Sequence, residues 1–172
     1  MKKLTLKNRK IMKKILSVLF IAISLNSCGV FLNAPIAQYN SNVRNYQYVY
    51  VVPTAAVTSS SGVYGGQYGV YGGATKTISP SEVISGYLMK KGYTPVPSIT
   101  DELADRTLVV SYGYTGRRQL GLFSYATCII IQMRDAKTHE MVASCESEGC
   151  GSDETEDVLQ AINSGLNAIF AR

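Results

Sequence analysis

Hydrophobic residues recur along this chain in three rhythms. Residues 15–25 form an almost unbroken apolar run with neither a helical nor a strand period. From residue 46 onward a period of two dominates. It predicts strands over residues 46–52, 107–114, 124–134 and 140–148, with a short one over 93–96 limited by Pro95 and Pro97. A helical period appears twice. Val83, Ile84, Tyr87 and Leu88 form one stripe, and Val158, Leu159, Ile162, Leu166, Ile169 and Phe170 form the other.

Local signals set the boundaries. Pro53 ends the first strand. Ser79 reads as a helix N-cap, with Pro80 at the first helical position, Glu82 closing a capping box and Ile78 stapling onto Val83. Lys90 and Lys91 suit the negative end of that helix, and Gly92 suits a left-handed stop. The last helix is expected over residues 153–170. Residues 115–123, with Gly116, Arg117, Arg118 and Gly121, read as a turn, and residues 135–139 as a second one. His139 falls where such turns place positive φ. In residues 46–52, Tyr46, Tyr48, Tyr50 and Val52 share one face and Val49 and Val51 the other. Both faces are apolar, so a central strand is expected.

The element order is strand, helix, short strand, three-strand meander, helix. It predicts a two-layer α+β domain over residues 46–172: an about five-stranded mixed sheet with two helices packed on one face. The first two strands should run parallel if they share the sheet. Residues 54–77 interrupt this pattern with a Gly/Ser/Tyr-rich insertion that contains no acid and carries GVYGG twice, at 62–66 and 69–73.

The leading apolar run follows Lys13 and Lys14, is too short to span a bilayer, and ends in Leu25-Asn26-Ser27-Cys28. It resembles a bacterial lipoprotein signal, in which a leucine stands three residues before the cysteine and a small residue directly before it. Leu25 and Ser27 match, while Asn26 is a less usual filler. The resemblance implies that residues 1–27 are removed and that Cys28 becomes the lipidated (diacyl, palmitate-type) first residue, attaching the chain to the membrane through its N-terminal lipid. Met12 is a second candidate start. Residues 29–45 show no clean period and read as a tether, which fully extended could reach roughly 55 Å over 17 residues.

The signal also changes the charge. The formal net charge is +5, but seven of the 17 Lys and Arg precede Cys28 and none of the 12 Asp and Glu do. From Cys28 onward 10 basic side chains face 12 acidic ones, net −2, over 145 residues. Nucleic acid is therefore not an expected partner, since phosphate binding needs a basic stripe.

Lys90-Lys91-Gly92-Tyr93, Leu108-Val109-Val110, Asp135-Ala136-Lys137-Thr138 and the acidic start of the last helix come in an order similar to small envelope lipoproteins of Bacteroidetes that carry a domain of unknown function. The likeness covers roughly residues 46–170, and the Gly/Tyr insertion departs from it. It implies an α+β domain in the cell envelope and supplies no catalytic residues. In such lipoproteins acidic residues soon after the cysteine often accompany export to the cell surface. Residues 29–33 contain none, which implies an outer-membrane lipoprotein facing the periplasm.

Candidate chemistry is sparse. After lipidation three cysteines remain, Cys128, Cys145 and Cys150, and an oxidising envelope favours a disulfide. Cys145–Cys150 is the favoured pair, because Gly149 and Gly151 permit a sharp turn; Cys128–Cys145 becomes reachable if Cys128 falls opposite Ser147. His139 reads as a turn residue rather than a general base. Asp153, Glu154, Glu156 and Asp157 crowd one helix start, where acids ordinarily complement the macrodipole; a calcium site is the sharper alternative. No nucleophile elbow, phosphate loop or metalloprotease motif occurs, and no catalytic residue, metal or cofactor is expected. Tyr64, Tyr68 and Tyr71 in the insertion, and Arg117 and Arg118 near Phe123 and Tyr125, are the candidate partner contacts. The resulting expectation is a non-enzymatic adaptor or structural lipoprotein with an envelope protein or glycan partner. A glycan- or peptide-binding module using the Tyr-rich loop is the alternative, and a hydrolase a more distant one.

Overall fold

The computed structural model describes residues 32–60, 64–66, 69–71, 75–121 and 124–171. The signal, Cys28 and Tyr68 lie outside them. Six strands form one mixed sheet in the order β1 (Ile36–Tyr39), β10 (Met141–Gly149), β9 (Tyr125–Asp135), β8 (Thr107–Gln119), β2 (Tyr48–Val51), β7 (Thr94–Pro95). β2 runs parallel to β7 and to β8, and the remaining pairs are antiparallel. Two short antiparallel pairs, β3 (Val57–Ser60) with β6 (Thr75–Ile78) and β4 (Tyr64–Gly66) with β5 (Gly69–Tyr71), fold the Gly/Tyr insertion into an arm. The helices are α1 (Pro80–Lys90), the single turn α2 (Asp101–Ala104) and α3 (Glu154–Phe170). The α+β class and the parallel first pair match the sequence pattern, and β2 is interior to the sheet as its two apolar faces require.

The pleat sorts β9 into two faces. Ile129, Ile131 and Met133 are fully buried beneath the helices, whereas Cys128, Ile130 and Gln132 on the other face are half-buried. Val49, Val110 and Cys145 join the first set, and Ile84 and Leu88 of α1 with Val158, Ile162, Leu166 and Ile169 of α3 close over it. Each of these side chains contributes about 1.5–3 kcal/mol by leaving water. α3 can approach β10 closely because the contacts there are small. A Cβ on Gly149 would sit 1.9 Å from the Asp157 carbonyl oxygen, and one on Gly165 would sit 2.7 Å from Ser147 Oγ. Ser147 Oγ donates to the Ala161 carbonyl at 2.8 Å, which satisfies a buried hydroxyl within the same contact.

Ends and turns follow the sequence signals. Ser79 accepts from the Glu82 backbone N–H at 3.5 Å, and Asp153 caps α3 by accepting from Glu156 N–H at 3.0 Å. Gly92 has φ 94° and His139 φ 61°, the left-handed positions expected of them. Asp135 carboxylate accepts from the Lys137 and Thr138 N–H groups, both at 2.8 Å, and holds the β9–β10 turn.

Three expectations are corrected. The proposed tether is only partly a tether: Ile36–Tyr39 is the edge strand β1 paired with β10, and Val43–Asn45 is a short 3-10 turn with Val43 in the core. Arg117 and Arg118 are not in a turn. Gly116, at φ 134°, accommodates a bulge between Tyr114 and Gly116, so β8 continues to Gln119. The third concerns register. A bulge between Met141 and Ala143 slips β10 by one residue, so Cys128 pairs with Glu148 rather than Ser147. One residue of slip reverses faces, which puts Cys128 and Cys145 on opposite sides of the sheet.

Candidate functional site

The half-exposed face of the sheet carries the densest polar cluster outside the helix caps. Bulging β8 at residue 115 sends Arg117 to the helix face and Arg118 to the open face. Arg118 Nε donates to Glu148 Oε1 at 2.8 Å, and its terminal NH2 donates to Oε2 at 2.6 Å, a bidentate pair. Asn33 closes the other side, its backbone N–H donating to Oε2 at 2.9 Å and its Nδ2 to Oε1 at 2.8 Å. Cys128 Sγ lies 3.9 Å from the same carboxylate. The Glu148 side chain is only 10% exposed. The Arg118 guanidinium, offset in part by burial and helped by the Asn33 donors, pulls its carboxyl from 4.5 down to about 2. The cluster ties the segment leading into β1 onto the sheet beside a recess of about 320 Å³.

The acids at the start of α3 are engaged by the protein itself. Besides its cap, Asp153 lies 3.8 Å from Lys76 Nζ, and Glu156 accepts from Lys76 Nζ at 3.0 Å and from Ser152 Oγ at 2.7 Å. Asp157 accepts from the Gly151 N–H and from Thr127 Oγ1. Arg117 bridges to Glu154 at 2.8 Å. Among the described residues no group of three or more His, Cys, Asp and Glu side chains could hold a metal ion. These acids serve capping and, through Lys76, attachment of the arm.

A cleft lined by tyrosines of β8 lies at the base of the arm. The backbone of Tyr64 pairs with that of Tyr71, and Gly66 with Gly69, across β4 and β5. At the arm's base, Val57 and Ile78 pack against the core and Ser59 Oγ lies 3.4 Å from Thr155 Oγ1. A cleft of about 550 Å³ opens there between residues 53–57 and Tyr112, Tyr114 and Glu154. Tyr114 is 55% exposed. Tyr112 and Tyr114 were not singled out by sequence reading, since within β8 they look like ordinary strand residues.

Cys128 and Cys145 are free thiols. The Cys145–Cys150 pairing fails because β10 stays extended through Gly149. Five residues at about 3.3 Å each put the two Cα atoms far beyond the roughly 5.5 Å a disulfide spans. Burial pushes the Cys145 thiol up to about 11, with Glu146 adding to the effect. His139 is exposed in its turn and its backbone carbonyl accepts from Arg134. Among the described residues no helix is long and apolar enough to cross a membrane.

No protein-family model and no curated relative matches this chain. Among solved structures it is similar to the PelC L103M dodecamer from Paraburkholderia phytofirmans, at 14% identity and a TM-score of 0.46, covering 80% of this chain and 98% of that one. A second crystal form of the PelC dodecamer from the same organism gives 12% identity and a TM-score of 0.42, covering 80% and 95%. Likenesses this distant bear on neither activity nor assembly.

Proposed function

We propose that this chain is a non-enzymatic lipoprotein of the bacterial cell envelope, an adaptor or structural component anchored through Cys28 on the periplasmic side of the outer membrane. The observation that carries this reading is how the clustered ionisable groups are used. Glu148 and Arg118 hold the entry to β1, Asp153 and Glu156 hold α3 and the arm, and Asp135 holds a turn. General acid–base work by these groups would need them turned towards a substrate, and each instead accepts hydrogen bonds from the protein's own donors. The sequence adds a signal that ends at a cysteine and an acidic balance after it.

A second reading is favoured by one feature, the cleft beneath the arm. Exposed Tyr114 beside Tyr112 and Glu154 offers an aromatic platform and a carboxylate acceptor, the chemistry of a glycan- or peptide-binding module. Cys28→Ser with palmitate labelling and membrane fractionation tests the anchor. Loss of label and release from the membrane fraction are expected, and label persisting on the variant would refute it. Crosslinking from a photoreactive residue at position 114 separates the two readings: a captured envelope protein supports the adaptor, and a captured glycan supports the module.

A further inference from the structure

β8 outruns its neighbour on one side. β9 pairs with it from Leu108 to Gln119, whereas β2 pairs only with Thr107 to Val110. The β2 side closes with the Val52 N–H donating to the Val110 carbonyl at 2.9 Å, and the chain from Pro53 onward stands across a cleft from Tyr112 and Tyr114. Main-chain groups along β8 alternate between its two neighbours. The Thr107 carbonyl turns to the β9 side and accepts from the Ala136 N–H; those of Val110, and of Arg106 just before the strand, turn to the β2 side and accept from Val52 and Tyr48. Even-numbered residues therefore face β2. The register with β9 is regular up to Tyr114, so Tyr112 and Tyr114 carry the series past the point where β2 stops. Among the described residues their N–H and C=O groups have no main-chain partner on that side.

The cleft of about 550 Å³ lies where β2 would have continued, with residues 53–57 on its far side and Glu154 and Val158 of α3 on the helix face. Nothing in the sequence guards this edge: residues 111–115 read Ser-Tyr-Gly-Tyr-Thr, with no proline and no charge. The sheet's outer edge β7, by contrast, is two residues long and holds Pro95. Glu154, the charged residue of the lining, is bridged by Arg117 at 2.8 Å, so the cleft asks for no net charge in its occupant.

We infer that this gap takes a strand from another protein: an extended, uncharged peptide segment that pairs its main chain with Tyr112 and Tyr114 and lays alternate apolar side chains against Val57, Val158 and the two rings. The unpaired groups repeat every two residues, about 6.6 Å, which an extended peptide main chain matches rung for rung. The inference rests on the second reading above, a binding module at this cleft, and gives its ligand class.

The test uses the full-length protein in detergent micelles. In the free protein the Tyr112 and Tyr114 amides should exchange hydrogen several-fold faster than those of Ser111 and Gly113, which face β9. Equal protection would mean that the edge is already filled and would overturn the inference. A phage-displayed library of linear peptides is then selected on the protein, and an enriched peptide is synthesised with each backbone amide N-methylated in turn. The expected result is an uncharged, alternating sequence whose binding falls about tenfold on methylation of every second amide and holds at those between. Its complex should slow exchange at Tyr112 and Tyr114. Methylation that weakens binding alike at all positions, or no slowing at the two amides, overturns strand addition and leaves the module reading standing. If no peptide is enriched, strand addition is overturned. The module reading then stands only on glycan-array binding that Tyr114→Ser removes with circular dichroism unchanged, and falls without it.

Discussion

Glu148→Gln preserves the side chain's size and removes its charge, which makes it the cleanest probe of the clamp. The carboxyl is drawn from 4.5 to about 2, a shift that corresponds to about 3 kcal/mol at about 1.4 kcal/mol per unit. Arg118 is 38% exposed, and water reaching it screens the pair, so about 1–2 kcal/mol is the expected loss at neutral pH. The folded-state value is depressed, so this stabilisation is fully present above pH 4.5 and is lost as pH falls from about 4.5 towards 2. Asp135, Asp153 and Glu156 are also held below their ordinary values and add to the acid slope of both proteins. The difference between parent and variant therefore isolates Glu148. Urea unfolding followed by circular dichroism at pH 7 and pH 3 measures it. The gap should shrink to less than half at the lower pH, and limited proteolysis should cut before Ile36 sooner in the variant. An equal gap at both pH values would mean that shape rather than charge is lost, and the electrostatic account would fail.

Gly149→Ala places a methyl 1.9 Å from a backbone oxygen of α3. A loss of about 2–3 kcal/mol in urea unfolding is expected, and an unchanged midpoint would contradict the close helix approach. Replacing residues 61–74 with a short Gly/Ser linker should cost on the order of 1 kcal/mol. Extending the cut through β3 and β6, which removes Val57 and Ile78 from the core edge, should lower the thermal midpoint clearly further, and equal effects would show that the arm's base does not pack. Non-reducing peptide mapping should recover Cys128 and Cys145 as free thiols. Native labelling should reach half-buried Cys128 first; rapid labelling of Cys145 would mean that α3 opens readily.

The meander, both long helices, the Gly92 stop and the His139 turn were legible because each is written locally, in a period or a cap. What was missed depends on pairing at a distance. Ile36-Ala37-Gln38-Tyr39 is a strand only because β10 offers an edge; four residues between Pro35 and Asn40 carry no period of their own. Gly116 signalled an irregular backbone, and a bulge uses the same positive φ that a turn would. The extra residue near Val142 leaves no mark in composition, yet it decides which face every later residue of β10 takes. The Asn33–Glu148–Arg118 cluster joins three segments far apart in sequence, and only the register of β8, β9 and β10 brings them together.

The edge strand also has a mechanical consequence. A pull on the chain ahead of β1 enters at Asn33, so its bonds to Glu148 bear the load first and the short β1 ladder next. Neither belongs to the central strands, so both can yield while α3 stays seated on β9. Release of residues 32–45 would add about 45 Å of reach at about 3.3 Å per residue. The edge strand thereby stores reach, which tension on the chain ahead of it would release and re-pairing with β10 would take back.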